Sequence, residues 1–380
     1  MTTIVKAADA AHFLSLVPAM LGFTPTHSLV LVPFHRGRSI GAMRMDLPRA
    51  EVDLDAFAAT CLGMVCRLPD ADGLAVAVFT DASCRDGLPH AELVASLRRS
   101  ADACGLRLTD ALSVGGDGWG SHLDADCPPG GRPLAALQLA APAAAPIAPG
   151  DQASGATLPP RDVARAEAVA TALRALYWAV RTLCGDRDEP PDPDEVTGGI
   201  ADGDRRIDPA ALAAACRLDD VPRYFEEVLE ADAATLPPYD AALLVWCLAR
   251  PALRDVALVQ WSADAQRGER ALEAQRRWED GAEYPVDLAM TMWGEGPRPD
   301  PQRLSRALEV AREVAALAPT TMRPGALAAC AWLSWALGRS THAERYAQLA
   351  TDVEPEHGLS EIVLSFVAAG HLPDWAFRRA

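Results

Sequence analysis

The chain has almost no lysine: Lys6 is the only one in 380 residues, so arginine carries nearly all the positive charge. Against 35 Lys and Arg stand 52 Asp and Glu, a formal net charge of -17 and a sequence pI near 4.9. A field of that sign repels phosphate backbones and anionic lipid surfaces, which excludes nucleic acid as a first expectation. Paired cysteine spacing is also missing. The nine cysteines (61, 66, 84, 104, 127, 184, 216, 247 and 330) are odd in number, scattered, and contain no C-x-x-C. Disulfide frameworks and zinc ribbons both need regular spacing, and most of these thiols sit in apolar contexts where cysteine acts as a small hydrophobe. Long apolar runs are absent too. The opening stretch is broken by His12 and Pro18, and no later stretch reaches the length of a membrane span. These absences predict a reduced, cytoplasmic protein without cofactor or metal.

What is present is an α/β (α+β) pattern followed by an all-α one. Residues 7–20 carry Phe13, Leu14, Leu16, Val17 and Met20 at helical spacing, and residues 28–34 form a nearly continuous apolar strand. His35 to Arg38 reads as a hairpin turn and residues 39–47 as its partner strand. Leu54, Phe57, Ala58, Cys61, Leu62 and Val65 mark a second amphipathic helix, GLAVAVF a buried strand, and residues 90–104 a third helix closed by Gly105. LRLTDALSV, a GGDG turn and WGSHL then read as two more strands. The order β-β-α-β-α-β-β predicts a mixed sheet covered by helices over residues 1–140. An Ala/Pro/Gly-rich linker follows at 141–160, then a long helix at 161–185 and an acidic, proline-rich loop at 186–206. Residues 207–380 read as helices throughout. Ala307, Ala311 and Pro319 recur 36 residues later as Ala343, Ala347 and Pro355, the spacing of a helix-pair repeat.

Three stretches hold candidate chemistry. The turn GFTPTHS (22–28) contains His27 and joins a helix to a strand. A phosphate cradle needs several glycines before a helix start, whereas Gly22 as a helix cap with a Thr24-Pro25 turn needs no ligand. Arg44 and Asp46 lie two apart on a strand and share a face, fit either to orient a polar ligand or to pair with each other. GDGWGSHLDADCPPGGRPL (116–134) carries Trp119, His122, Asp124, Asp126 and Cys127. It reads as a binding loop, a Cys–His nucleophile, a mixed metal site, or a hairpin followed by a proline-braced loop. The candidate pocket is therefore His27, Arg44, Asp46, Trp119, His122, Asp124 and Cys127. In the helical part, Trp246, Trp261, Trp278, Trp293, Trp332 and Trp335 read as packing residues, although Arg276-Arg277-Trp278, its charge cancelled by Glu273, Glu279 and Asp280, reads as a solvated helix face rather than a nucleic-acid contact.

VPAMLGFTPTHSLVLVPF, RMDLP, WGSHLDADCPPGGRPL and RPGALAACAWLSWALG together resemble the actinobacterial domain of unknown function family 4192, over nearly the whole chain. The family often carries a second cysteine beside CPPGG, where Asp126 stands here; it has no established activity, so the resemblance implies no mechanism. Residues Ala331, Gly338, Ala343 and Ala350, counted back from Pro355, also resemble a tetratricopeptide repeat, with Leu327 and Ser334 at its usual aromatic positions. Two functions are expected: a non-enzymatic interaction or adaptor protein meeting a protein partner through the C-terminal helices, or a small-molecule binder or enzyme using the α/β pocket. Convergence of the seven candidate residues in one concavity separates them.

Overall fold

A computed structural model describes residues 7–140, 150–184 and 207–378. The acidic loop and residues 141–149 of the expected linker lie outside the described residues. By internal contacts the chain divides into two units, Met1–Ser154 and Gly155–Ala380.

The first unit is an open mixed sheet between two helical layers. It opens with α1 (Ala10–Leu21), capped by the Asp9 carboxylate at its start and by Gly22 at its end. Gly22 takes a left-handed conformation (φ 83°) and its N–H donates to Pro18 O at 2.8 Å, so it is a helix cap as the sequence predicts. β1 (Ser28–His35) follows, then β2 (Arg38–Ser39) and β3 (Met43–Asp46). The single partner strand expected over 39–47 is thus two short ones, paired in turn along the same edge of β1. Pro33 of β1 supplies the reason. Its carbonyl accepts from Ile40 N (3.0 Å), so its missing N–H faces that same neighbour and the ladder breaks there, beside Gly41 at φ 149°.

α2 (Leu54–Cys66) starts where the Asp53 carboxylate accepts from the N–H groups of Asp55 and Ala56. β4 (Gly73–Phe79), α3 (Ala91–Ala103) and β5 (Arg107–Val114) form a parallel β-α-β crossover, and β6 (Trp119–Ser121) returns antiparallel. A short helix, α4 (Ala135–Ala140), closes the unit and was not expected. Strand order is β2/β3-β1-β4-β5-β6. Leu29, Leu31, Leu74, Val76 and Val78 face α2 and α3, while Val30, Val32, Ala75, Ala77, Leu112 and Trp119 face α1 and α4. Burial on both faces is why β1 and β4 read as unbroken apolar runs.

The second unit is all helical: α5 (Val163–Leu183), α6 (Pro209–Cys216), α7 (Val221–Glu230), α8 (Pro238–Leu248), α9 (Pro251–Trp261) and α10 (Ala265–Glu279). It continues with α11 (Val286–Met292), α12 (Pro301–Leu317), α13 (Arg323–Ala336), α14 (Ser340–Thr351) and α15 (Gly358–Ala368). α13 is the centre, packed against α12, α14, α15, α8 and α9 and buried along its whole length. Ala307, Ala311, Ala343 and Ala347 are all fully buried, so the small residues of the 36-residue repeat sit where helices approach. Trp261, Trp332 and Trp335 are core residues, each donating its indole N–H to a carbonyl. Trp293 is not, being 50% exposed, and Trp278, 55% exposed, lies on the solvated helix face expected of Arg276-Arg277-Trp278. No helix among the described residues is long and apolar enough to cross a membrane.

Candidate functional site

The seven candidate residues fall into four places, and pairing register explains much of the division. His27 (φ 45°) ends the opening turn, where its Nε2 meets the exposed Asp81 carboxylate at 2.9 Å. The rest of that turn is occupied by the chain itself. Thr24 N donates to Gly150 O, Thr26 N and Oγ1 donate to Gln152 Oε1, and Gln152 Nε2 donates to Thr26 O. Arg44 lies opposite Val30 and Asp46 opposite Ser28. The Arg44 guanidinium donates from Nε to Ser28 Oγ (2.7 Å) and pairs with Asp46, itself largely exposed. The pair therefore ties β3 to the start of β1.

Along β6, alternate side chains leave on opposite faces. Trp119 and Ser121 point toward α1; Gly120 and His122 point toward α3. Ser113, which pairs with Gly120, donates its hydroxyl to Pro89 O (2.9 Å), just ahead of α3. With that proton committed, the 2.8 Å contact between Ser113 Oγ and His122 Nε2 is an imidazole N–H donating to the serine. This is the reverse of what an activated serine requires. Burial holds the His122 imidazole below its ordinary pKa, partly offset by the Asp110 charge, so the neutral ring is favoured. Cys127 lies on the same face, its sulfur beneath Gly120, where a Cβ would come within 2.4 Å of it. The neighbouring Cys84 is fully buried, its thiol on Gly118 O (3.3 Å), and burial followed by the Asp117 charge raises its pKa. A raised pKa opposes thiolate formation.

On the α1 face, Trp119 and Asp124 border an open cleft of about 580 Å³, with Asp9, Thr109, Asp110, Ser121, Leu123 and Arg132. Arg132 lies over the Trp119 ring (5.6 Å to its centre) and donates to Asp124 Oδ2 at 2.5 Å. That hydrogen bond, with a second from Asp126 N–H, lowers the Asp124 pKa. Asp110 Oδ1 accepts from Ser121 Oγ (2.6 Å) and Ala111 N (2.8 Å). Three carboxylates against one guanidinium make the cleft acidic. Its residues Asp9, Asp110, Ser121 and Arg132 were not singled out in sequence. The Leu112↔Ser121 register and the Trp119↔Arg132 bridge bring them together, and neither is legible before strands are paired. Gly131 permits that bridge, since a Cβ there would lie 3.0 Å from Trp119 O at a φ of 72°. Asp124 thus lies across the sheet from His122 and Cys127, and the mixed metal set of the sequence does not assemble. Among the described residues no group of three His, Cys, Asp or Glu is placed to hold a metal ion.

An open mixed α/β sheet joined to an all-helical unit, with polar candidates held in structural pairs, defines the class only broadly. The family model of the domain of unknown function DUF4192 matches residues 11–374, and the chain belongs to that family. No curated protein and no solved structure matches it.

Proposed function

We propose that this is a non-enzymatic, cytoplasmic interaction protein that docks a protein partner on its tetratricopeptide-like helical unit. One observation carries the reading: α11 turns an apolar stripe outward. Leu288 and Thr291 of α11 are buried, while Val286 is 73% exposed, Met290 half-buried and Trp293 50% exposed, at i, i+4 and i+7. Trp293 is fixed in place. Its ring packs on Phe366 of α15 (5.1 Å), its carbonyl faces His371 Nε2 (3.2 Å), and Ile362, one turn before Phe366, is exposed as well. A rigid aromatic anchor beside aliphatic side chains is the composition of an interface hot spot. The polar candidates of the α/β unit support the same reading, because their hydrogen bonds go to one another and to the backbone.

The test is capture of the tagged full chain from a bacterial host of its own type, beside a Val286→Glu, Trp293→Glu variant. A stoichiometric protein bound to the wild type and lost from a variant with an unchanged melting curve supports the reading. Equal capture by both sinks it.

The acidic cleft favours a second reading, a small cationic ligand held by Asp9 and Asp110. Both residues line the cleft, and each uses carboxylate oxygen Oδ1 for backbone or serine donors, the hydrogen bonds among the described residues leaving Oδ2 for a ligand. Saturable binding of a guanidinium or amine compound that disappears in Asp110→Asn would establish it.

A further inference from the structure

The sheet connectivity brings two cysteines together that are 38 positions apart in sequence (104 − 66). α2 leads into β4 and α3 leads into β5, and those strands are parallel neighbours. The two helices therefore run side by side in the same direction and end at the same edge of the sheet. Both end on cysteine: Cys66 is the last residue of α2, and Cys104 is the C-terminal cap of α3. Their packing fixes this arrangement. Ala58, Cys61, Leu62 and Val65 of α2 share one core with Leu93, Val94, Leu97 and Ala101 of α3, and Arg99 of α3 donates to Asp55 Oδ1 in the first turn of α2 (2.6 Å).

At the shared end Cys104 is the neighbouring thiol that acts on Cys66. Both residues are exposed, in contrast to Cys61, Cys84, Cys247 and Cys330, which are buried. Two parallel helices that share a core and both end on cysteine at one edge bring the thiols into the same neighbourhood, and exposure admits a small oxidant. We propose that Cys66 and Cys104 are a reversible dithiol–disulfide site, oxidised by low-molecular-weight disulfides.

The exchange runs in two displacements. One cysteine, as its thiolate, attacks the small disulfide, forming a mixed disulfide and releasing one small thiolate. The second cysteine then loses its proton and attacks the protein sulfur of that bond. The Cys66–Cys104 bond closes and the second small thiolate leaves. The protein gives up two electrons and two protons, and the small disulfide is reduced to two thiols. The partial covering of an otherwise exposed side chain, then the neighbouring Cys104, raises the Cys66 pKa. A second negative charge beside the first is disfavoured, so the pair moves between dithiol and disulfide without passing through a dithiolate.

The experiment treats the reduced full chain with glutathione disulfide, blocks remaining thiols by alkylation and maps peptides without reduction. The expected product is one cross-linked peptide pair joining Cys66 to Cys104, reversed by excess reduced glutathione. In Cys104→Ser a glutathione adduct should persist on Cys66, and in Cys66→Ser on Cys104, because the resolving thiol is gone. Exposed Cys184 and Cys216 provide the internal reference for a thiol that forms adducts only. The proposal is overturned if the wild type carries adducts on Cys66 and Cys104 without a cross-link, if both remain alkylatable as fast as before, or if the bond forms between two chains. Melting of the double serine variant together with the reduced wild type confirms that it is folded.

Discussion

Gly325→Ala is the sharpest perturbation of the helical unit, because the space it would enter is occupied by backbone. A Cβ on Gly325 of α13 would lie 2.1 Å from Leu248 O and 2.8 Å from Ala249 Cα, at the end of α8. Ordinary contact needs well over 3 Å, so α13 must retreat from α8 by more than an ångström. α13 cannot do so freely, since α12, α14 and α15 also pack on it. Overpacking of this kind costs about 1–3 kcal/mol, and a clash with main chain in a fully buried helix belongs at the upper end. For a unit of this size, roughly 3 kcal/mol corresponds to a fall in Tm of about 6–12 °C. Gly358→Ala is the matched control. Gly358 opens α15 with nothing within 4 Å of the added carbon, so alanine there should be neutral or stabilise by up to about 1 kcal/mol. Urea unfolding of both variants, followed by far-ultraviolet circular dichroism, gives the comparison. A Gly325→Ala midpoint within error of Gly358→Ala would refute the close approach of α13 and α8.

Three further outcomes follow from the α/β unit. Burial lowers the pKa of both His90 and His122, so the unfolded chain takes up their protons first as pH falls below about 6.5. Stability should therefore decline on the acid side of that value. His122→Gln, which keeps a donor toward Ser113, should flatten the slope by at most about 1.4 kcal/mol per pH unit; an unchanged profile in denaturant titrations would count against burial of the neutral ring. Gly120→Ala places a Cβ 2.4 Å from Cys127 Sγ and 2.9 Å from Leu88 Cδ2. It should destabilise by about 1–3 kcal/mol, and Cys127→Ala should recover part of that in a double-mutant cycle, additive costs being the contrary result. Closing the Cys66–Cys104 bond constrains a loop of 38 residues (104 − 66). The chain-entropy relation gives a stabilisation of about 4 kcal/mol as an upper figure. Oxidised and reduced samples that melt together would contradict it.

The fold was largely open to reading because its strongest signals are local. β1 and β4 are apolar runs buried on both faces, α2 and α3 carry apolar residues at helical spacing, and Gly22 and Gly105 punctuate helices as glycine does. Departures occurred where a second segment decides the outcome. Pro33 splits the partner of β1 into β2 and β3 only because its empty donor position faces them. Trp293 reads as a packing residue by its type, yet at the end of α11 it is half exposed, while Trp278 lies on the solvated face that its charged neighbours predict. Residue type sets a tendency to be buried; the neighbouring helix decides whether it is met.

The site shows the same limit more severely. Trp119, His122, Asp124 and Cys127 are close in sequence and look like one loop, but a strand sends alternate residues to opposite faces: pairing with β5 puts His122 beside Ser113, while the Trp119–Arg132 bridge sets Trp119 beside Arg132. Proximity in sequence therefore separated what it appeared to join. Cys66 and Cys104 are the converse. Distance in sequence hid a contact that follows once two helices are known to feed adjacent parallel strands, since parallel crossovers bring successive helix ends to one edge. In an α/β unit of this kind, functional pairs are found by reading equivalent positions of consecutive helices together. The neighbourhood of Cys66 and Cys104 is set by packing, because moving the two apart would require α2 to slide along a core shared with α3.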